Sequence, residues 1–195
     1  MISRRLWFFA LLLCFAAEAP ASAHTGGGTG GFAGGFAHPL FGLDHVVAMV
    51  AVGLWGAFLG APAIMLLPVI FPLVMAMGGV LGILGVPLHG TEIGIAISAI
   101  VLGLMVALAA RPPLWVAAVL VGAFAIFHGY AHGVELPAGV DAVAFSAGFV
   151  IATGLLHLAG IAFGLTVRWP VGRVAVRGAG AMIACAGAVF LTGWT

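Results

Sequence analysis

Six apolar runs of roughly 20 residues each leave this chain little choice of fold. They occupy residues 36–59, 64–84, 90–110, 114–132, 141–167 and 178–194. A run of that length crosses the hydrocarbon core of a bilayer as an α-helix, whereas a membrane strand would show shorter segments of alternating polarity. The breaks carry helix-ending residues: Gly60-Ala61-Pro62, Val86-Pro87, Arg111-Pro112-Pro113, Leu136-Pro137 and Trp169-Pro170. Charged residues make up 6% of the chain and none is a lysine, where a soluble domain carries about 25%. The expected fold is therefore all-α: a polytopic membrane protein with a six-helix transmembrane bundle. Pro68 and Pro72 lie inside the second run and predict a kink there.

The first residues read as a targeting segment. Arg4 and Arg5 precede a short apolar run over residues 6–17, and Ala21-Ser22-Ala23 has the small-x-small cleavage pattern. Residues 1–23 are thus expected to be a cleaved secretory signal peptide, leaving His24 at the new N-terminus. Residues 24–35 are mostly glycine and predict a flexible periplasmic tether. Residues 36–195 form the six-helix membrane domain. Cys14 and Cys185 lie in the signal and in the last run, so neither suggests a disulfide or a thiolate metal site.

Arginine sets the orientation. With the mature N-terminus outside, six spans return the C-terminus outside, and Arg111, Arg168, Arg173 and Arg177 all fall in cytoplasmic loops, as the positive-inside rule requires. The predicted location is a bacterial-type inner (cytoplasmic) membrane with both mature termini periplasmic. The partners expected from composition are the lipid bilayer and, through small residues at four-residue spacing (Gly56 and Gly60, Gly78 and Gly82, Gly90 and Gly94, Gly129 and Gly133, Gly160 and Gly164), closely packed helices, including those of a second copy. No basic cluster suits a nucleic acid.

Against this apolar background the titratable side chains stand out. His38, Asp44 and His45 open the first run, and an ionisable group facing lipid costs roughly 2.5 kcal/mol or more. On one continuous helix His38 and His45, seven residues apart, share a face. Met49 lies one turn beyond His45. His128 and His132, one turn apart, end the fourth run at the same side of the membrane, followed by Glu135. His89 and Glu92 open the third run, also outside. Two readings of the first cluster stand side by side: a cation site, or buried histidines bonded to backbone carbonyls with Asp44 as their partner. Imidazole suits nickel, cobalt, copper and zinc. Met49 offers a weak axial sulfur or fills a gap between helices, and His157, deeper in the fifth run, is an exit site or a core histidine. His24, His89, Glu92 and Glu135 are candidate accessory groups at the outer mouth.

The stretch His38-Pro39-x-x-Gly42-x-Asp44-His45-x-x-Ala48-Met49-x-x-Val52-Gly53 resembles the first signature of the HupE/UreJ family of nickel and cobalt permeases, and Phe127-His128-Gly129-x-Ala131-His132-Gly133-x-Glu135 resembles its second. The likeness implies uptake of a divalent transition metal, Ni2+ or Co2+, from periplasm to cytoplasm; with no phosphate-binding glycine loop followed by Lys and Ser/Thr in the chain, the expected transport is secondary and not driven by ATP. The likeness also implies that residues 36–195 are the transport domain and that His38, Asp44 and His45 are needed for transport. Together with His128 and His132 they are the expected metal-site residues. No permanent cofactor and no catalytic residue is expected, since the metal ion is the substrate. Readings from other classes are an intramembrane zinc hydrolase using His128, His132, Asp44 and Ser98, and a haem carrier with His45 and His128 as axial ligands.

Overall fold

The computed structural model describes residues 31–136 and 139–193. The expected signal peptide with its cleavage site, Cys14 and His24 lie outside the described residues. Those described form seven α-helices: α1 (Phe32–Phe41), α2 (Leu43–Leu59), α3 (Ala63–Ile83), α4 (Thr91–Ala107), α5 (Leu114–Glu135), α6 (Ala142–Gly164) and α7 (Pro170–Leu191). A 3-10 turn, Leu165–Arg168, links the last two, and no strand occurs among the described residues.

Four helices, α3, α5, α6 with its 3-10 turn, and α7, are long and apolar enough to cross a membrane, and α1 with α2 adds a fifth span if the bent pair counts as one. α4 is apolar but has 17 residues, about 26 Å at 1.5 Å per residue, a little less than a hydrocarbon core of about 30 Å. The exposed surface is rich in large apolar side chains, among them Val69, Leu73, Met77, Val119, Leu155 and Val174, as a surface facing lipid requires.

The first run departs from expectation. It is not one helix but two, meeting at Gly42 with a bend of 81°. Gly42 leaves the helical region (φ −81°, ψ 105°), ending α1 and opening α2. The side chains of Asp44 and His45 fold back onto it: a Cβ at Gly42 would lie 2.9 Å from His45 Nδ1 and 3.1 Å from Asp44 Oδ1. His38 and His45 therefore do not share a face of one helix. α1 also starts at Phe32, inside the stretch expected to be a tether. Glycine there serves close approach, because a Cβ at Gly35 would run into the Phe145 carbonyl of α6, and one at Gly148 into that of Phe32.

The last run starts earlier than its hydropathy suggests. Pro170 occupies the first turn of α7, where its missing N–H costs nothing, so Arg173 and Arg177 lie on a helix and not in a loop. Their long stems let a membrane helix carry them near its end. Arg177 Nε donates to the Ala107 carbonyl at the end of α4, 2.8 Å away. α3 runs unbroken through Pro68 and Pro72.

α2 is the central helix. Every residue from Ala51 to Phe58 is buried, the pattern of a helix enclosed on all sides. Around it, α6 lies parallel to α2 and α5 parallel to α3, while α7 runs antiparallel to α4; each pair meets through glycine. A Cβ at Gly160 would strike the Val50 carbonyl, and Cβ atoms at Gly129 and Gly133 would strike those of Met75 and Gly79. Trp55 and Phe71 are fully buried, and the Trp55 indole N–H donates to the Ala110 carbonyl at 3.1 Å. The arginines gather at one end: Arg111 lies 4.7 Å from the Phe58 ring, and Arg168 4.0 Å from that of Trp169. Asp44 and His45 open α2 at the opposite end.

Candidate metal centre

Four imidazoles converge at that opposite end, from three helices. α1 supplies His38, α2 supplies His45, and α5 supplies His128 and His132. The bend at Gly42, rather than helical periodicity, turns His38 back over His45; their ring centroids are 6.0 Å apart. His132 lies between them, 4.8 Å from His38 and 4.4 Å from His45. His128, one turn deeper on α5, is 5.2 Å from His45. Phe149 of α6 closes the side, 4.3 Å from His132 and 6.3 Å from His38.

The cluster has two tiers. At the mouth, ligand atoms of His38, His132 and Glu135 lie within 4.8 Å of one another. His38 Nε2 is 3.8 Å from the Glu135 carboxylate, and both side chains remain partly exposed, at 26% and 40%. Below them His45, His132 and His128 are buried, His128 completely.

Hydrogen bonding assigns the lone-pair nitrogens of two rings of the inner tier, His45 and His128. Asp44 Oδ1 sits 2.9 Å from His45 Nδ1. A carboxylate only accepts, so Nδ1 bears the proton and Nε2 keeps its lone pair. Ser98 of α4 donates its single hydroxyl proton to the Ile95 carbonyl at 2.6 Å. Its oxygen, 2.9 Å from His128 Nε2, must then accept from that ring, which leaves the lone pair on Nδ1. The two atoms so assigned, His45 Nε2 and His128 Nδ1, are buried and have no hydrogen-bond partner among the described residues. Both nitrogens of His132 are in the same state. An imidazole anchored through one nitrogen, with the other left as a donor for a metal, is the usual form of a histidine ligand. The resulting set, three imidazoles with carboxylates behind and above, suits a borderline divalent transition metal better than a hard cation.

The other expected residues are placed less closely. Asp44 touches the cluster through the far side of the His45 ring and acts across it. Met49 is fully buried within the apolar core that contains Trp55 and Phe71. His89 and Glu92, before and at the start of α4, are exposed, and neither makes an ion pair or ring contact among the described residues. Asp141 caps α6, accepting from the amides of Val143 and Ala144 at 2.9 and 3.1 Å. The sequence reading placed Ser98 with His128 only in the zinc-hydrolase alternative; its role as hydrogen-bond partner of that ring, and the closure by Phe149, went unseen.

The comparisons with known proteins cover nearly the whole chain. A family model described as "HupE / UreJ protein" matches residues 11–190. "Protein HupE" of Rhizobium leguminosarum bv. viciae is 44% identical over 182 residues, 93% of this chain and 95% of the relative. No solved structure matches.

Proposed function

We propose that this chain, which belongs to the HupE/UreJ family, takes up a divalent transition metal, Ni2+ or Co2+, from periplasm to cytoplasm through its histidine cluster. The observation that carries this reading is the set of buried imidazole nitrogens left without a hydrogen-bond partner among the described residues, on rings whose centroids lie 4.4–5.2 Å apart. Such atoms are rare in a folded interior because each forfeits its solvation. A metal ion would satisfy one nitrogen of each ring.

In this mechanism Glu135 and His38 attract the hydrated ion at the mouth, and His132 passes it inward. His45 and His128 then replace part of its water shell while Asp44, behind His45, offsets its charge. No nucleotide is needed to drive entry. A dication moving down the membrane potential gains about 4.6 kcal/mol per 100 mV, which supports accumulation of roughly a thousandfold. The ion is substrate throughout, and no side chain acts as a catalyst. Uptake of radioactive Ni2+ and Co2+ by cells making the protein, against a panel including Zn2+ and Mn2+, tests the reading. A preference for Ni2+ or Co2+ abolished by loss of the membrane potential supports it, and uptake no greater than in cells lacking the protein refutes it.

The orientation that serves uptake has six crossings, α4 being the sixth, with the histidine end periplasmic and the arginine end cytoplasmic. Ala61 joins α2 to α3 at the arginine end, whereas Gly139 precedes α6 at the other. In whole cells an impermeant thiol reagent is expected to label Gly139→Cys and spare Ala61→Cys. The reverse pattern would invert the transport direction.

Ser98 has a defined part in this scheme. Ser98→Ala removes the acceptor that holds the His128 proton on Nε2, so the ring is free to adopt the tautomer in which Nδ1 cannot bind metal. Loss of such an outer partner typically weakens metal binding by about 10–100-fold. Titration of the purified variant with Co2+, followed by its visible absorption, is expected to show that weakening, with Ser98→Thr retaining most of the affinity.

A further inference from the structure

Seven buried side-chain polar atoms lack a hydrogen-bond partner among the described residues. Four belong to the cluster already described: His45 Nε2, His128 Nδ1 and both nitrogens of His132. The remaining three lie elsewhere, on one face of α6: Thr153 Oγ1 and both ring nitrogens of His157, one helical turn apart. Thr153 is fully buried and His157 is 2% exposed. The condition that marks the outer cluster thus recurs at a second place, and nowhere else in the described chain.

That second place lies further along the same axis. α6 runs parallel to α2, and the His157 carbonyl is where a Cβ of Gly53 would fall. Gly53 is eight residues beyond His45, about 12 Å towards the arginine end at 1.5 Å per residue. One ring is near both places. The Phe71 ring of α3 is 5.6 Å from His128 and 5.6 Å from His157. Phe71 is itself fully buried. Phe71 thus contacts the deepest histidine of the outer cluster and the His157 imidazole alike.

We propose that His157 and Thr153 form an inner station that holds the metal ion after it passes Phe71 and before it is released. This rests on the transport reading above and deepens it. The station would offer one imidazole nitrogen and one hydroxyl oxygen, with water completing the shell of the ion. Its ligands are neutral, whereas the outer cluster is backed by Asp44 and Glu135, so the ion binds more weakly inside than outside. That order suits conduction, in which each site holds the ion firmly enough to draw it in and loosely enough to let it go. A histidine kept only for packing has no use for two unpaired nitrogens, since a leucine fills similar space with no polar atom to bury.

The test compares His157→Leu with His157→Cys in Ni2+ uptake by whole cells, alongside Co2+ titration of each purified protein. His157→Leu is expected to cut uptake at least tenfold while the high-affinity Co2+ absorption of the outer cluster stays as in the unmodified protein. His157→Cys, smaller but still a metal ligand, is expected to keep several times more uptake than His157→Leu. Normal uptake by His157→Leu would overturn the station, and so would equal losses in the two variants, because position 157 would then serve packing. Should His157→Leu fail to accumulate in the membrane, His157→Gln, polar and of similar size, takes its place with the same expected loss. A failure of the unmodified protein to take up metal or bind Co2+ would refute the transport reading instead.

Discussion

Cells making His45→Gln or His128→Gln are expected to lose metal uptake almost completely, while the same change at His89 leaves it within about twofold of normal. The first two residues supply the nitrogens whose lone pairs are assigned by Asp44 and Ser98. A four-ligand zinc site is worth about 10–16 kcal/mol, so one imidazole contributes roughly 3 kcal/mol, or more than a hundredfold in affinity. Glutamine is the better replacement than alanine at His128, which is fully buried. Alanine would add a cavity costing about 2–5 kcal/mol, and a folding defect would then pass for a transport defect. His89 is exposed and, among the described residues, makes no ion pair or ring contact that ties it to the cluster. Uptake is read together with the amount of protein in the membrane fraction. Substantial uptake by well-inserted His45→Gln and His128→Gln would remove the inner tier from the pathway.

The parts of this fold that were legible in the sequence were those written in local chemistry. Apolar run length gave the helices, and proline and glycine gave most of their breaks. The pairing of the first cluster with His128 and His132 followed from the alternation of helix direction. What could not be read was geometry that depends on tertiary contact. The bend at Gly42 is invisible in hydropathy because both sides of it are apolar; it is stabilised by Asp44 and His45 folding over a residue with no Cβ. Assuming one straight helix placed His38 correctly near His45 for the wrong reason. The early start of α7 was hidden by Arg173 and Arg177, whose charge lowers the local hydropathy although Arg177 secures the end of α4. Ser98 was grouped with His128 only in the hydrolase reading, and its hydrogen bond to that ring, 30 residues away, could not be read. Glycine spacing, by contrast, mixed two roles. Gly129 and Gly133 let helices touch, whereas Gly60 and Gly90 have positive φ and open space around them, as turn residues do.

Asp44→Asn separates charge from orientation, and it is expected to reduce apparent metal affinity by at least a hundredfold. Asp44 Oδ1 is 2.9 Å from His45 Nδ1, so an ion on Nε2 would lie about 6–7 Å from the carboxylate, across the ring. At an effective dielectric of about 20, a dication and a single negative charge at that distance attract by about 5 kcal/mol. The Asp44 side chain is 30% exposed, and screening by water reduces this figure, though a loss of about 3 kcal/mol still exceeds a hundredfold. The orienting role is smaller, about 10–100-fold for an outer partner, and asparagine can preserve it by accepting the same ring proton through its amide oxygen. Charge is therefore the larger of the two effects. Asp44→Glu keeps the charge and disturbs the short bond to His45, and is expected to retain more uptake than Asp44→Asn. Metal titration of the purified variants together with uptake in cells distinguishes the two roles. Near-normal uptake by well-inserted Asp44→Asn would mean that the carboxylate serves only to aim His45, and that Glu135 at the mouth supplies the charge the ion requires.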